Sequence, residues 1–109
     1  MSPNAFLGEF EQMVLLAILQ RRDAAFALEV RQLLEERAGR TVSRGAFYTT
    51  LDRLERKGLV TWTAEEAPPR RSGPLRRFQV TPDGVEALQE SRRALQTLWR
   101  GLDVFVEEG

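Results

Sequence analysis

The residues best suited to a chemical task are basic and polar rather than catalytic. Ser43 and Arg44 stand at the start of what reads as a helix, Gly45 and Ala46 follow, and Tyr48, Thr49 and Arg53 lie further along it. Arg70 and Arg71 occupy a proline-rich stretch, Ala67-Pro-Pro-Arg-Arg-Ser-Gly-Pro. Guanidinium groups stay charged at every working pH and grip phosphate oxygens or enter a narrow minor groove. Short side chains and free N–H groups at a helix start can approach phosphates or base edges. The chemistry expected of this set is recognition of a polyanion.

Bond-making chemistry has little to work with. The 109 residues include no cysteine and no histidine, which removes disulfides, thiolate and imidazole metal sites, and Ser-His or Cys-His nucleophile pairs. The remaining acid–base candidates, Glu65, Glu66 and Asp83, stand at a strand end or a helix start and form no cluster. No catalysis, cofactor or metal is expected. The zero net charge hides a division: residues 39–82 carry nine basic and four acidic groups, a local charge of +5, between segments of −2 and −3. Counterion release responds to local charge, so a basic centre between acidic flanks suits a phosphate footprint, and equally an ordinary solvated surface.

Hydrophobic periodicity supplies the elements that must position these groups. Leu7 to Arg21 reads as a broad-faced helix bearing Phe10, Met13, Val14, Leu16, Ala17, Ile18 and Leu19, with Glu11 off that face. A second helix is expected from Phe26 to Ala38, its stripe made by Leu28, Val30, Leu33 and Leu34, with a stop at Gly39. One or two strand residues are expected between Gly39 and Ser43. Ser43 then caps a third helix that ends at Lys57 and Gly58, with Phe47, Leu51 and Leu54 facing inward. Leu59-Val-Thr-Trp-Thr and Leu75-Arg-Arg-Phe-Gln-Val-Thr read as two strands of a hairpin with a basic tip. Thr81-Pro-Asp opens a last helix, expected to run to about Glu107 with Val85, Leu88, Leu95, Leu98, Trp99, Leu102 and Phe105 along one stripe.

Helix, helix, helix, hairpin, long helix is the order of a mainly α winged helix-turn-helix, in which the third helix enters the major groove and the hairpin tip lies on the backbone or in the minor groove. Residues 1–81 are read as the DNA-binding unit and 82–109 as a C-terminal dimerisation helix. The stripe formed by Leu88, Leu95, Leu98, Trp99, Leu102 and Phe105 exceeds what so small a core can bury, so a homodimer is expected. A twofold dimer would place two recognition helices about 34 Å apart on double-stranded DNA and call for a pseudo-palindromic operator.

Ser43-Arg-Gly-Ala-Phe-Tyr-Thr-Thr-Leu-Asp-Arg-Leu-Glu-Arg-Lys-Gly-Leu-Val resembles the recognition-helix signature of the PadR family, whose framework falls here on Tyr48, Leu51, Arg53, Leu54, Gly58, Leu59 and Val60. Arg76-Arg-Phe-Gln-Val-Thr-Pro-Asp-Gly and Leu7-Gly-Glu-Phe-Glu extend the similarity over about residues 7–95. The resemblance implies a signal-responsive repressor, dimeric through its last helix, with the Tyr48 hydroxyl near a phosphate. The alternative for Tyr48 is a ring packed under the wing, and Arg53 has as alternatives an ion pair with Asp52, Glu55 or an acid on another helix. Two departures stand out: Ala27-Leu28 replaces the Gly-Tyr frequent early in the second helix, and Ala46 stands where Ser or Thr is common. Small relatives with short C-terminal ends also imply that Trp99 could stack on a small, flat hydrophobic ligand, against the plainer reading of a core tryptophan.

A winged-helix module that binds a protein instead of DNA is the other function class considered; it predicts a wing without basic residues, whereas Arg70, Arg71, Arg76 and Arg77 are all present. No apolar run approaches the roughly 20 residues that span a bilayer, and Met1 to Phe10 lacks a secretion signal. A cytoplasmic protein without a membrane partner is expected.

Overall fold

The computed structural model describes residues 7–39, 41–66, 75–102 and 104. Helix α1 (Glu9–Arg21), a 3-10 turn (Arg22–Ala24), α2 (Ala27–Ala38) and α3 (Arg44–Arg56) lead into strands β1 (Val60–Glu65) and β2 (Leu75–Val80), and α4 (Pro82–Trp99) follows. The strands pair antiparallel from Val60 opposite Val80 to Glu65 opposite Leu75. This is the mainly helical winged helix-turn-helix order expected.

The core is one cluster at the meeting point of all four helices and the base of the hairpin. Val14, Leu15 and Ile18 of α1 pack with Val30 and Leu34 of α2, Phe47, Leu51 and Leu54 of α3, Leu59, Phe78, and Ala87 and Leu88 of α4. The i, i+4, i+7 spacing on α3 thus does what the periodicity predicts: it turns one face inward and fixes the direction of the other. The caps are those of the sequence. Ser43 Oγ accepts the Ala46 N–H at 3.1 Å, and Thr81 Oγ1 accepts the Gly84 N–H at 3.1 Å.

Several boundaries differ from the reading of the sequence. No strand lies between Gly39 and Ser43 among the described residues; the third edge of the sheet comes instead from the segment before α2, where Phe26 bridges Arg77 and the Phe78 N–H donates to the Ala25 carbonyl at 2.9 Å. Val42 is held by another device, its N–H donating to Glu35 Oε2 at 3.1 Å. Helix α1 starts at Glu9 because Gly8 is its cap residue: the Glu11 side chain reaches back to the Gly8 N–H at 2.8 Å, half of a capping box whose reciprocal half a glycine cannot supply. Helix α4 ends at Trp99 rather than near Glu107. Arg100 turns to an extended ψ of 128° and Gly101 adopts φ of 84°, a left-handed geometry that glycine tolerates and other residues resist. Leu28, expected in the buried stripe of α2, is exposed.

Glu11 is the largest departure. Expected on the wet side of α1, it is 5% exposed. Its Oε2 accepts from Lys57 Nζ at 2.8 Å, so the end of α3 is tied to the start of α1. Burial alone would raise the Glu11 carboxyl; the Lys57 and Gly8 hydrogen bonds, with the charges of Lys57 and Arg53, outweigh it and hold the group below the ordinary carboxylate value.

Candidate nucleic-acid interface

Because Phe47, Thr50, Leu51 and Leu54 point into the core, the opposite face of α3 is left to solvent. Ser43, Arg44, Gly45, Ala46, Thr49 and Arg53 are all exposed there. Ser43 serves as the helix cap, so its hydroxyl has a structural duty before any other. Thr50, beside them, turns inward and donates to the Ala46 carbonyl at 2.8 Å. A methyl group built at Gly45 would meet no heavy atom within 4 Å. Nothing among the described residues asks for glycine at that position, although glycine weakens a helix.

Tyr48 lies at the margin of this face and takes part in both of its alternative readings. Its ring is half-buried against the core, edge-on to Phe47 with centroids 5.5 Å apart, and it also lines a surface pocket with Arg31, Arg44 and Arg76. Arg53 is close enough to Glu11 to lower that carboxyl, so an acid on another helix does feel its charge. Lys57 is engaged with Glu11 and turns away from the recognition face.

The wing is braced on both faces. On one, the Arg76 guanidinium sits 4.8 Å from the Trp62 ring centroid, and Trp62 Nε1 donates to Glu55 Oε1 of α3 at 3.2 Å. On the other, Arg77 Nε donates to Glu65, while Asp23, in the 3-10 turn, stands 3.9 Å away with a fully exposed side chain and adds little. Arg70 and Arg71, expected at the tip, lie outside the described residues.

The base of the wing is joined to α4 with no slack. The Thr81 N–H donates to the Leu59 carbonyl at 3.0 Å, and its hydroxyl donates to the Gly58 carbonyl at 2.7 Å while accepting from Gly84. Gly58 itself, at φ of 75°, makes the left-handed exit from α3.

A second surface carries the apolar side chains. Leu16 and Leu19 of α1 face Leu95 and Trp99 of α4 across an open groove. Leu98 is 73% exposed and Trp99 51%, and Leu95, Leu102 and Val104 are exposed too. Leu88, expected on this stripe, is mostly spent on the protomer's own core and shows only its edge at the groove floor. Phe105 lies outside the described residues.

Residues 15–90 match the model of the transcriptional regulator PadR-like family. The chain belongs to that family. The PadR-like transcription factor from Bacteroides fragilis is 25% identical, covering 91% of this chain and 87% of its own, with a TM-score of 0.63. RosR from H. salinarum is 23% identical over 94% of this chain and 92% of its own, at a TM-score of 0.68. A PadR family regulator from Clostridium difficile R20291 is 19% identical over 89% and 98%, also at 0.68. No curated protein matches the chain. As a PadR-like protein it is a DNA-binding transcriptional regulator, and among the described residues no helix is long and apolar enough to cross a membrane.

Sequence reasoning counted Arg76 among the basic residues of the wing but missed Arg31, and it did not place either beside Arg44 and Tyr48. Arg31 reads as one of several charges on the wet side of α2, and only the packing of α2 against α3 and β2 brings it beside Arg44 and Tyr48.

Proposed function

We propose that this PadR-like protein is a cytoplasmic repressor that binds a pseudo-palindromic operator as a homodimer. Residues 1–81 read DNA, and residues 82–109 hold the dimer. The observation that carries the reading is the division of α3. Its buried face is fully used by the core, while Arg44, Gly45, Ala46, Thr49 and Arg53 are all exposed around the rest of the helix. Glycine at position 45 costs helix stability, and no heavy atom of the described residues lies within 4 Å of a methyl group built there; with Ala46 it leaves room for a surface that comes close, such as the floor of a major groove. Tyr48 lies at the edge of this exposed surface toward α2 and β2, and Arg70 and Arg71, expected from the sequence at the hairpin tip, would extend it toward the adjacent backbone.

The groove between α1 and α4 supports the dimer. Leu95, Leu98, Trp99 and Leu102, with Leu16 and Leu19, are exposed large apolar side chains, and Leu16, Leu19, Leu95 and Trp99 share one groove, as expected of an interaction surface. Leu88 backs this surface from the core side; Phe105, expected on the stripe from the sequence, is proposed as a further dimer contact. Trp99, half-exposed on the groove, is the contact offered to a small, flat hydrophobic effector, and quenching of its fluorescence would report such a ligand.

Binding of genomic fragments by the purified protein, followed by fluorescence anisotropy at several salt concentrations, tests the reading. Selective binding with a steep salt dependence is expected, flattened in Arg70→Ala/Arg71→Ala. Absence of any selected fragment at low salt refutes it.

A further inference from the structure

Beyond the exposed residues of α3, three arginines from three elements line one surface pocket: Arg31 of α2, Arg44 of α3 and Arg76 of β2. Tyr48 lines it too, Leu28 and Phe78 form part of its apolar wall, and among the described residues no carboxylate lines it. Three like charges gathered without an acid repel one another, and this arrangement is unfavourable unless an anion joins them.

Two of the arginines are prepared in advance. Arg76 is held against Trp62, which is itself tied to Glu55. Arg31 Nε is buried and has no hydrogen-bond partner among the described residues. Such an N–H donor has already lost its water and gains a full bond from an incoming oxygen. The open mouth of the pocket lies between the start of the recognition helix and the wing.

We propose that Arg31, Arg44 and Arg76, with the Tyr48 hydroxyl, form a seat for a single backbone phosphate of the operator, and that Arg31 of α2 is thereby a DNA contact. The seat rests on the DNA-binding reading and adds to it a fixed point: one phosphate clamped between α2, α3 and β2 sets the angle at which α3 meets the groove. Because three side chains share one phosphate, their contributions are not independent.

The test has two arms, each with variants checked for wild-type thermal unfolding. In the first, anisotropy on the selected operator and on an unrelated duplex is measured against salt for wild type, R31Q, R76Q and the double variant. One shared phosphate predicts that R31Q weakens both duplexes alike, and that the double variant lowers the slope by about 0.9 per protomer, where two separate contacts would lower it by about 1.8. Unchanged affinity of R31Q for both duplexes, or full additivity, overturns the seat. In the second arm, the free protein is titrated with inorganic phosphate while the arginine Nε–H resonances are followed. Arg31 and Arg76 should shift together with one midpoint, and both responses should vanish in R44Q.

No common response refutes the pocket whether or not an operator has been found. A common response with unchanged salt slopes assigns the pocket to a free anion and overturns the DNA contact. A wild type that selects no duplex removes the DNA-binding reading and the proposed ligand with it, and the phosphate titration still reports separately on the pocket.

Discussion

Replacing Gly84 by alanine should destabilise the protein, although the same change in an ordinary helix stabilises it. Gly84 is the third residue of α4, where helix propensity alone favours alanine by about 1 kcal/mol. A Cβ there would lie 2.4 Å from the Leu59 carbonyl oxygen and 2.6 Å from Val80 Cγ1. Carbon and oxygen in comfortable contact stand about 3.3 Å apart or more, so the helix start must retreat by close to an ångström.

The Leu59 carbonyl cannot move alone, because it also accepts the Thr81 N–H at 3.0 Å. Retreat would stretch that bond and the two made by the Thr81 hydroxyl. Overpacking of this kind costs about 1–3 kcal/mol, and a weakened cap and backbone bond add roughly 1–2 kcal/mol. After the propensity gain is subtracted, a net loss of about 1–4 kcal/mol remains, or roughly 5–20 °C in Tm for a chain of this length. Thermal unfolding by circular dichroism, with both proteins at the same concentration, measures it. A Tm equal to or above the wild-type value would refute the reasoning, since it would mean that α4 and the wing are not in rigid contact.

Gly45→Ala should do the opposite: with no atom within 4 Å of the new methyl, the free protein gains up to about 1 kcal/mol, while operator affinity measured by anisotropy falls. Lys57→Ala should cost about 1–2 kcal/mol in urea unfolding at neutral pH by leaving the buried Glu11 carboxylate without its main partner. The Glu11 contribution is present above the ordinary carboxylate pKa and lost as pH falls through its lower folded value, so the gap between wild type and Lys57→Ala should close below about pH 4. Leu98→Asp should weaken the dimer by about 3–4 kcal/mol, two symmetry-related leucines at roughly 2 kcal/mol each, visible in sedimentation as monomer at micromolar protein and as lost operator binding.

What could be read in the sequence was local. Ser43, Phe47, Leu51 and Leu54 carry a cap and a period within one helix, and Thr81-Pro-Asp announces the next, so α3, the hairpin and the start of α4 fall where the pattern puts them. What was hidden depends on partners far along the chain. Glu11 is buried because Lys57 comes to it from 46 residues away. The sheet's third edge is Phe26 because β2 folds back beside it. Arg31 resembles any solvated helix charge until α3 and β2 are placed around it. Gly84 looks like a mild flaw in a helix, and only the nearness of Leu59 shows that the position requires it.

The Thr81 hydroxyl has a mechanical consequence. It bridges the last turn beyond α3 and the first turn of α4, so the two helices are coupled, and in the proposed dimer they would swing together about its axis. Helix α4 has 18 residues and is about 27 Å long at 1.5 Å per residue. With a lever of that length, a tilt of about 5° at the subunit boundary carries the far end through roughly 2 Å. The reach between the two reading heads of a dimer would then be tuned by small wedges inserted near Trp99, and operator spacing becomes a gauge of how the protomers lean.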